Sequence, residues 1–214
     1  MGIWNNVTNK AWNDSQIMYA MDQMQTAGAK APAGCTAGYC FGLAAVWIKR
    51  KWQFRDYPYD SAAYEYWDTD WLAVDVQKTY DSELAKATHT WTPIANAYTK
   101  AGLKLQYGKS QASSGAINGS GLYNIIENGG GATKGGNGTY IVGMKGNYGA
   151  HAVAIFNGGD RWWSLFDGNF GCFRMQGNND FKQFLHWYFG SGATNYKTKY
   201  GDEWLTACAL PTWV

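Results

Sequence analysis

Cys40 is the residue on which hydrolytic chemistry could be built. It follows Gly38-Tyr39 and opens the run Cys40-Phe41-Gly42-Leu43-Ala44-Ala45-Val46-Trp47-Ile48, which ends in Lys49-Arg50-Lys51. Leu43, Val46 and Trp47 fall at roughly helical spacing, which predicts a core-facing helix of about three turns. Thr36 or Gly38 can cap its start, and the basic cluster suits its negative C-terminal end. Cys40 then lies in or near the first turn. Free backbone N–H groups and the helix dipole stabilise a thiolate there, and a thiolate is a nucleophile. A buried core thiol is the competing reading, because free cysteine is among the most buried residue types. The rest of the chain has to supply a base.

His151 lies in Gly149-Ala150-His151-Ala152-Val153-Ala154-Ile155-Phe156, a strand-like run. Asn157-Gly158-Gly159-Asp160 is a hairpin signal, and Arg161 to Asp167 reads as the returning strand. Pairing Asn157 with Asp160 puts residue 166 opposite His151, whereas pairing Asn157 with Arg161 puts residue 167 there. Either register brings Asp167 beside His151 on the neighbouring strand, within reach of its ring if both face the same side. A carboxylate in that place fixes the imidazole tautomer and supports the imidazolium. Taken singly, His151 reads as a satisfied core histidine and Asp167 as a turn-initiating residue before Gly168-Asn169. Taken with Cys40, they have the logic of a cysteine hydrolase: nucleophile on a helix mouth, base and orienting group on adjacent strands.

The elements that must position these residues are α+β in order: helices first, then an antiparallel sheet. A helix is predicted over 13–26, with Ile17, Met18, Met21 and Met24 as its apolar stripe. A loop over 28–38 feeds the Cys40 helix. Residues 52–67 are aromatic and aperiodic, and read as a loop that could wall a substrate site. A helix near 70–87 follows. Thr92-Pro93 starts another, which stops at Gly102. Residues 103–107 alternate like a short strand, 108–120 read as a loop, and Ser120 can cap a helix through Ile126. Gly129 to Gly138 is glycine-dense but lacks any phosphate-binding spacing. Strands are expected at 139–144, 149–156, 161–167 and 172–175. Asn178 or Asn179 caps a helix with Phe181, Phe184, Leu185 and Tyr188 inward, and a strand over 204–210 closes the sheet. No linker or repeat divides the chain, so residues 1–214 are expected to form one domain.

Composition narrows the function classes. A net charge of +2 is too small to predict nucleic-acid or membrane binding by electrostatics. No run of about 18 apolar residues predicts a membrane span. Met1 to Asn6 is polar and lacks the apolar core of a signal peptide. Four scattered cysteines suit neither a disulfide scaffold nor a zinc site, so reduced thiols are expected. His89 and His186 read as surface or packing residues. Asp56, Asp60, Glu65, Asp68 and Asp70 read as solvated charges.

Gly38-x-Cys40-x-x-Leu43-x-x-x-Trp47-Ile48, His151-Ala152-Val153-Ala154 and Phe166-Asp167-Gly168-Asn169-Phe170-Gly171 together resemble the YopT/AvrPphB-type papain-like cysteine peptidases, which bacteria deliver as effectors or toxins. The resemblance implies a papain-like fold and peptide-bond cleavage without cofactor or metal. By the family's motif Cys40 is the nucleophile, His151 the general base and then acid, and Asp167 the orienting group. The family pattern Asp-Pro-Asn-x-Gly-acid is altered here: Gly168 replaces the proline and Cys172 the acidic residue. The region before the nucleophile holds Gly34, Cys35 and Thr36, without the amide side chain that papain-like enzymes use for the oxyanion. The Cys40 backbone N–H can supply one donor.

The resemblance further implies a protein or peptide substrate, a cognate inhibitor or immunity protein as a possible partner, and no nucleic acid. Localisation is expected to be secretion without a cleavable signal or delivery into a target cell, from the bacterial cytoplasm. Three other functions use overlapping residues: a cell-wall amidase or endopeptidase with the same triad, a transglutaminase or acyltransferase, and a non-enzymatic aromatic-rich binding domain.

Overall fold

The computed structural model describes residues 17–20, 38–54, 71–129, 138–158, 162–190 and 194–213. Strand β1 (Ile17–Ala20) comes first, followed by helices α1 (Cys40–Phe54), α2 (Trp71–Leu84) and α3 (Trp91–Ala101). Strand β2 (Leu103–Leu105), a 3-10 turn (Tyr107–Lys109), β3 (Gln111–Ser114) and α4 (Gly119–Gly129) lead to the main strands. These are β4 (Gly138–Gly146), β5 (Gly149–Asn157), β6 (Trp162–Asp167) and β7 (Gly171–Gln176). Helices α5 (Gly177–Tyr188) and α6 (Tyr196–Lys199) and strand β8 (Glu203–Pro211) complete the order. The sheet runs β1-β7-β6-β5-β4-β8-β2, with β3 also on β8. Every pairing between these strands is antiparallel. The class is α+β.

Successive residues of a strand point to opposite faces, so a sheet buried on both sides supplies two cores. Ile141, Ala152, Ala154, Phe166, Ala207 and Ala209 join the core under α1, α2 and α3. Their neighbours Val142, Val153, Ile155, Leu165 and Cys208 join a second core with α4 and α5. The small alanines on the first face let α1 lie close. Residues Phe41 to Ile48 are all buried in succession, so α1 is enclosed on every side rather than along one stripe. Gly42 is the point of closest approach: a methyl group there would run into the Ala73 carbonyl of α2. The Trp52 indole N–H donates to Thr139 Oγ1 of β4 at 3.0 Å, tying the far end of α1 to the sheet.

Several boundaries differ from the sequence expectation. Ile17–Ala20 is a strand on the edge of β7, not part of a helix. Four apolar residues in a row carry no period, and the pairing with β7 decides their state. Residues 111–114 were expected in a loop, but they pair with β8 from Gln111↔Thr206 to Ser114↔Glu203. The cap of α4 is Asn118, whose Oδ1 accepts the Gly121 N–H, rather than Ser120. Helix α3 starts at Trp91, so Pro93 is its third residue and Thr92 lies inside it. A proline in the first turn removes an N–H that had no helical acceptor anyway. The C-terminal stop is as expected, with Gly102 in the left-handed region at φ 76°. The aromatic stretch expected as a loop over 52–67 starts inside α1, which runs to Phe54, and residues 55–70 and 130–137 lie outside the described residues.

The crossing at Gly42 makes a direct prediction. Gly42→Ala should destabilise the fold by about 1–3 kcal/mol through overpacking. Gly108→Ala, where an added methyl meets nothing, should be close to neutral. Thermal denaturation of the two variants checks this, and equal Tm values would contradict it.

Candidate active site

The hairpin between β5 and β6 closes with Asn157 opposite Trp163, wider than either register expected from sequence. The ladder ends at Ala154↔Phe166. His151 therefore lies on a length of β5 that pairs only with β4, where Met144 is opposite it. The observed pairing keeps the parity of the Arg161 register and not of the Asp160 one. Asp167 sits one diagonal step along β6 and on the same side of the sheet as His151. Its Oδ1 is 2.9 Å from His151 Nε2. With Nε2 taken by the carboxylate, Nδ1 is the imidazole nitrogen left for other chemistry.

Both members of the pair are buried, His151 at 4% exposure and Asp167 at 0%. Burial alone would strip the charge from each. For His151, burial acts downward, but the Asp167 carboxylate and its hydrogen bond, with the Cys40 side chain as a further hydrogen-bond partner, push it up to about 10. For Asp167, burial acts upward, yet the imidazolium beside it and the donors around it hold the carboxyl below its ordinary range. The pair is ionised, and each charge is the reason the other survives in the interior.

Cys40 is the first residue of α1 and is half-buried. It lines a cleft of about 980 Å³ with Phe41, Gln77, Tyr80 and Ile94 on the helical side and His151 on the sheet side. Tyr80 is pushed up to about 12 by burial, with Cys40 and Asp81 adding to it. Tyr200 is pushed up likewise, by burial and then by Cys40 and Asp167. Its ring stacks on His151 at 6.0 Å between centroids. The first turn of α1 is fixed from α2: the Gly42 N–H donates to Gln77 Oε1 at 3.1 Å, and Gln77 Nε2 donates to Asp81 Oδ1 at 2.8 Å.

The structure therefore brings Cys40 and His151 to one cleft, with Asp167 buried behind the imidazole. His89 is exposed on the cleft wall near the end of α2, away from any such pairing, and His186 is exposed on α5. Gly34, Cys35 and Thr36 lie outside the described residues, as do the carboxylates between 56 and 70. Sequence reasoning missed Gln77, Tyr196 and Tyr200. Gln77 and Tyr200 carry no local signal, because their roles depend on packing across the cleft. No helix among the described residues is long and apolar enough to cross a membrane. No group of three or more His, Cys, Asp or Glu among them is arranged to hold a metal ion.

Helices on both faces of such an antiparallel sheet give a fold that is also seen in a solved structure. The crystal structure of the Pseudomonas avirulence protein AvrPphB matches with a TM-score of 0.56 at 16% identity, over 85% of this chain and 97% of that one. At that identity the likeness is one of fold. The profile of the family described as Yersinia/Haemophilus virulence surface antigen matches residues 69–205, more than half of the chain. The chain belongs to this family of bacterial-effector cysteine peptidases. The matched segment contains His151 and Asp167, and Cys40 precedes it. No curated protein matches the chain significantly.

The ionised pair fixes a pH signature. His151 binds its proton more tightly folded than unfolded, so its contribution to stability is complete below about 6.5 and fades as pH rises towards about 10. Asp167 binds its proton less tightly folded, so its contribution is complete above about 3.8 and fades as pH falls. The Tm gap between the wild-type chain and Asp167→Asn should therefore be widest at about pH 4–6.5 and narrow towards about pH 10. A gap independent of pH would mean that the two groups are not an ion pair.

Proposed function

We propose that the protein is a papain-like thiol protease with a Cys40/His151/Asp167 triad, acting on a protein after delivery by a bacterial secretion route. The observation that carries this reading is the His151–Asp167 ion pair, placed beside a cysteine at a helix mouth in a peptide-sized cleft. Residues 1–214 act as one domain in this reading.

In the reaction, the Cys40 thiolate attacks the scissile carbonyl carbon, and the carbonyl π electrons move to oxygen. The Cys40 backbone N–H is one donor to that oxyanion. His151, as imidazolium, gives its Nδ1 proton to the leaving amine as the C–N bond breaks. The neutral imidazole then takes a proton from water, whose oxygen attacks the thioester. The tetrahedral adduct collapses by breaking its C–S bond, which releases the acid and the Cys40 thiolate, while the proton taken from water stays on Nδ1 and restores the thiolate–imidazolium pair. Asp167 holds the Nε2–H throughout and so keeps Nδ1 aimed at the cleft. Burial of the carboxylate makes that hold rigid.

A cell-wall peptide substrate and acyl transfer to an amine use the same three residues. Membership of a cysteine-peptidase family is what favours hydrolysis of a protein substrate here. Incubating the purified chain with a protein library and, separately, with muropeptides distinguishes them by mass spectrometry. New protein N-termini are expected, and they should be absent with Cys40→Ala or His151→Ala. Cleavage of muropeptides alone, or cleavage that survives Cys40→Ala, would overturn the proposal.

A further inference from the structure

We propose that Tyr188 and Tyr196 are positioning residues that lock the Asp167 carboxylate in its aim at His151 Nε2. This rests on the triad reading above. Four donors meet the carboxylate. Oδ1 accepts from His151 Nε2–H at 2.9 Å and from the Asn169 backbone N–H at 2.8 Å. Oδ2 accepts from the Tyr188 hydroxyl at 2.7 Å and from the Tyr196 hydroxyl at 2.8 Å. A carboxylate has about four lone-pair sites, so these donors saturate it. Turning the carboxylate would break charge-assisted bonds at a fully buried group.

The two phenols are themselves held. Tyr188 packs against Phe170, Phe173 and Phe184, and Tyr196 against Phe170 and Phe189. Thr194 joins them: its hydroxyl donates to the Tyr188 carbonyl at 2.8 Å and accepts the Tyr196 N–H at 3.3 Å. Asn195, between them, takes the left-handed conformation at φ 61°. A non-glycine residue there marks a turn that its surroundings over-determine. Tyr196 also meets the His151 ring at 5.0 Å between centroids and accepts from Asn169 Nδ2 at 3.2 Å. The last residue of α5 and the first of α6 therefore bring two hydroxyls to one oxygen. A protonated Asp167 would offer that oxygen a hydrogen in place of a lone pair, so the clamp selects the ionised form. Burial, and then Asp167, raise both phenols well above their ordinary range, so they remain donors.

Tyr188→Phe and Tyr196→Phe test this, each alone and each with Asp167→Asn. The readouts are the rate of Cys40 alkylation by iodoacetamide at neutral pH and the low-field proton resonance of His151 Nε2–H. Each phenylalanine variant should slow alkylation several-fold and move the resonance. In the Asp167→Asn background neither should slow it further, because the phenols act only through the carboxylate. Equal slowing in both backgrounds, or no slowing in either, would overturn the inference. In the unmodified protein the two phenolic protons should exchange slowly with solvent, and fast exchange would overturn it without any variant. If Asp167→Asn alone leaves Cys40 alkylation unchanged, the triad reading itself fails.

Discussion

Two opposite charges withdrawn from bulk water stabilise each other or not at all. The His151–Asp167 pair is that constraint here, and much of the fold exists to satisfy it. Desolvation of both groups is expensive, and attraction in a low-dielectric site offsets it only when every remaining lone pair and proton is matched. Asp167 meets the condition with a backbone N–H and two phenols besides the imidazole. Strands β5 and β6 set the separation of the pair, and α5 and α6 supply the phenols. Aromatic rings of the second core pack on those two phenols.

The other half of the site comes from the opposite face of the sheet. Helix α1 is enclosed by α2, α3 and the alanine-lined face of β5 and β8, which fixes the position of its first residue. Gly42 allows α2 to pass close, and Gln77 on α2 accepts the Gly42 N–H. The cleft opens where β5 outruns its partner β6. An extended peptide and an imidazole can meet there without breaking the ladder on the other side. Catalytic geometry and core packing are thus the same set of contacts seen from two sides.

The sequence made the site more legible than the fold around it. His151 and Asp167 could be placed on neighbouring strands from the hairpin signal, but only the Arg161 register also put them on one face. The actual register differs from both expected ones, yet it keeps Asp167 on the histidine's face. Cys40 could be placed because glycine and a following apolar run mark a helix start. The edges were harder. Ile17–Ala20 and Gln111–Ser114 are strands only because β7 and β8 offer them partners, and neither segment has the alternation that betrays a half-buried strand. Tyr188 was readable as an inward residue of α5, but its hydroxyl's target was not. Tyr196 follows a glycine-containing turn with no periodic pattern, so nothing local points it at a carboxylate.

The central claim is that the imidazole of His151 activates the sulfur of Cys40. Site-resolved alkylation kinetics at neutral pH, comparing the wild-type chain with His151→Ala, test it most directly. Cys40 is half-exposed in the cleft, whereas Cys172 and Cys208 are buried, so access alone already favours its modification. Only the effect of removing the imidazole is diagnostic. The account requires the Cys40 rate to fall by an order of magnitude or more, to that of an ordinary exposed thiol, with the fold intact. An unchanged rate would mean that the sulfur and the ring are neighbours without chemistry between them.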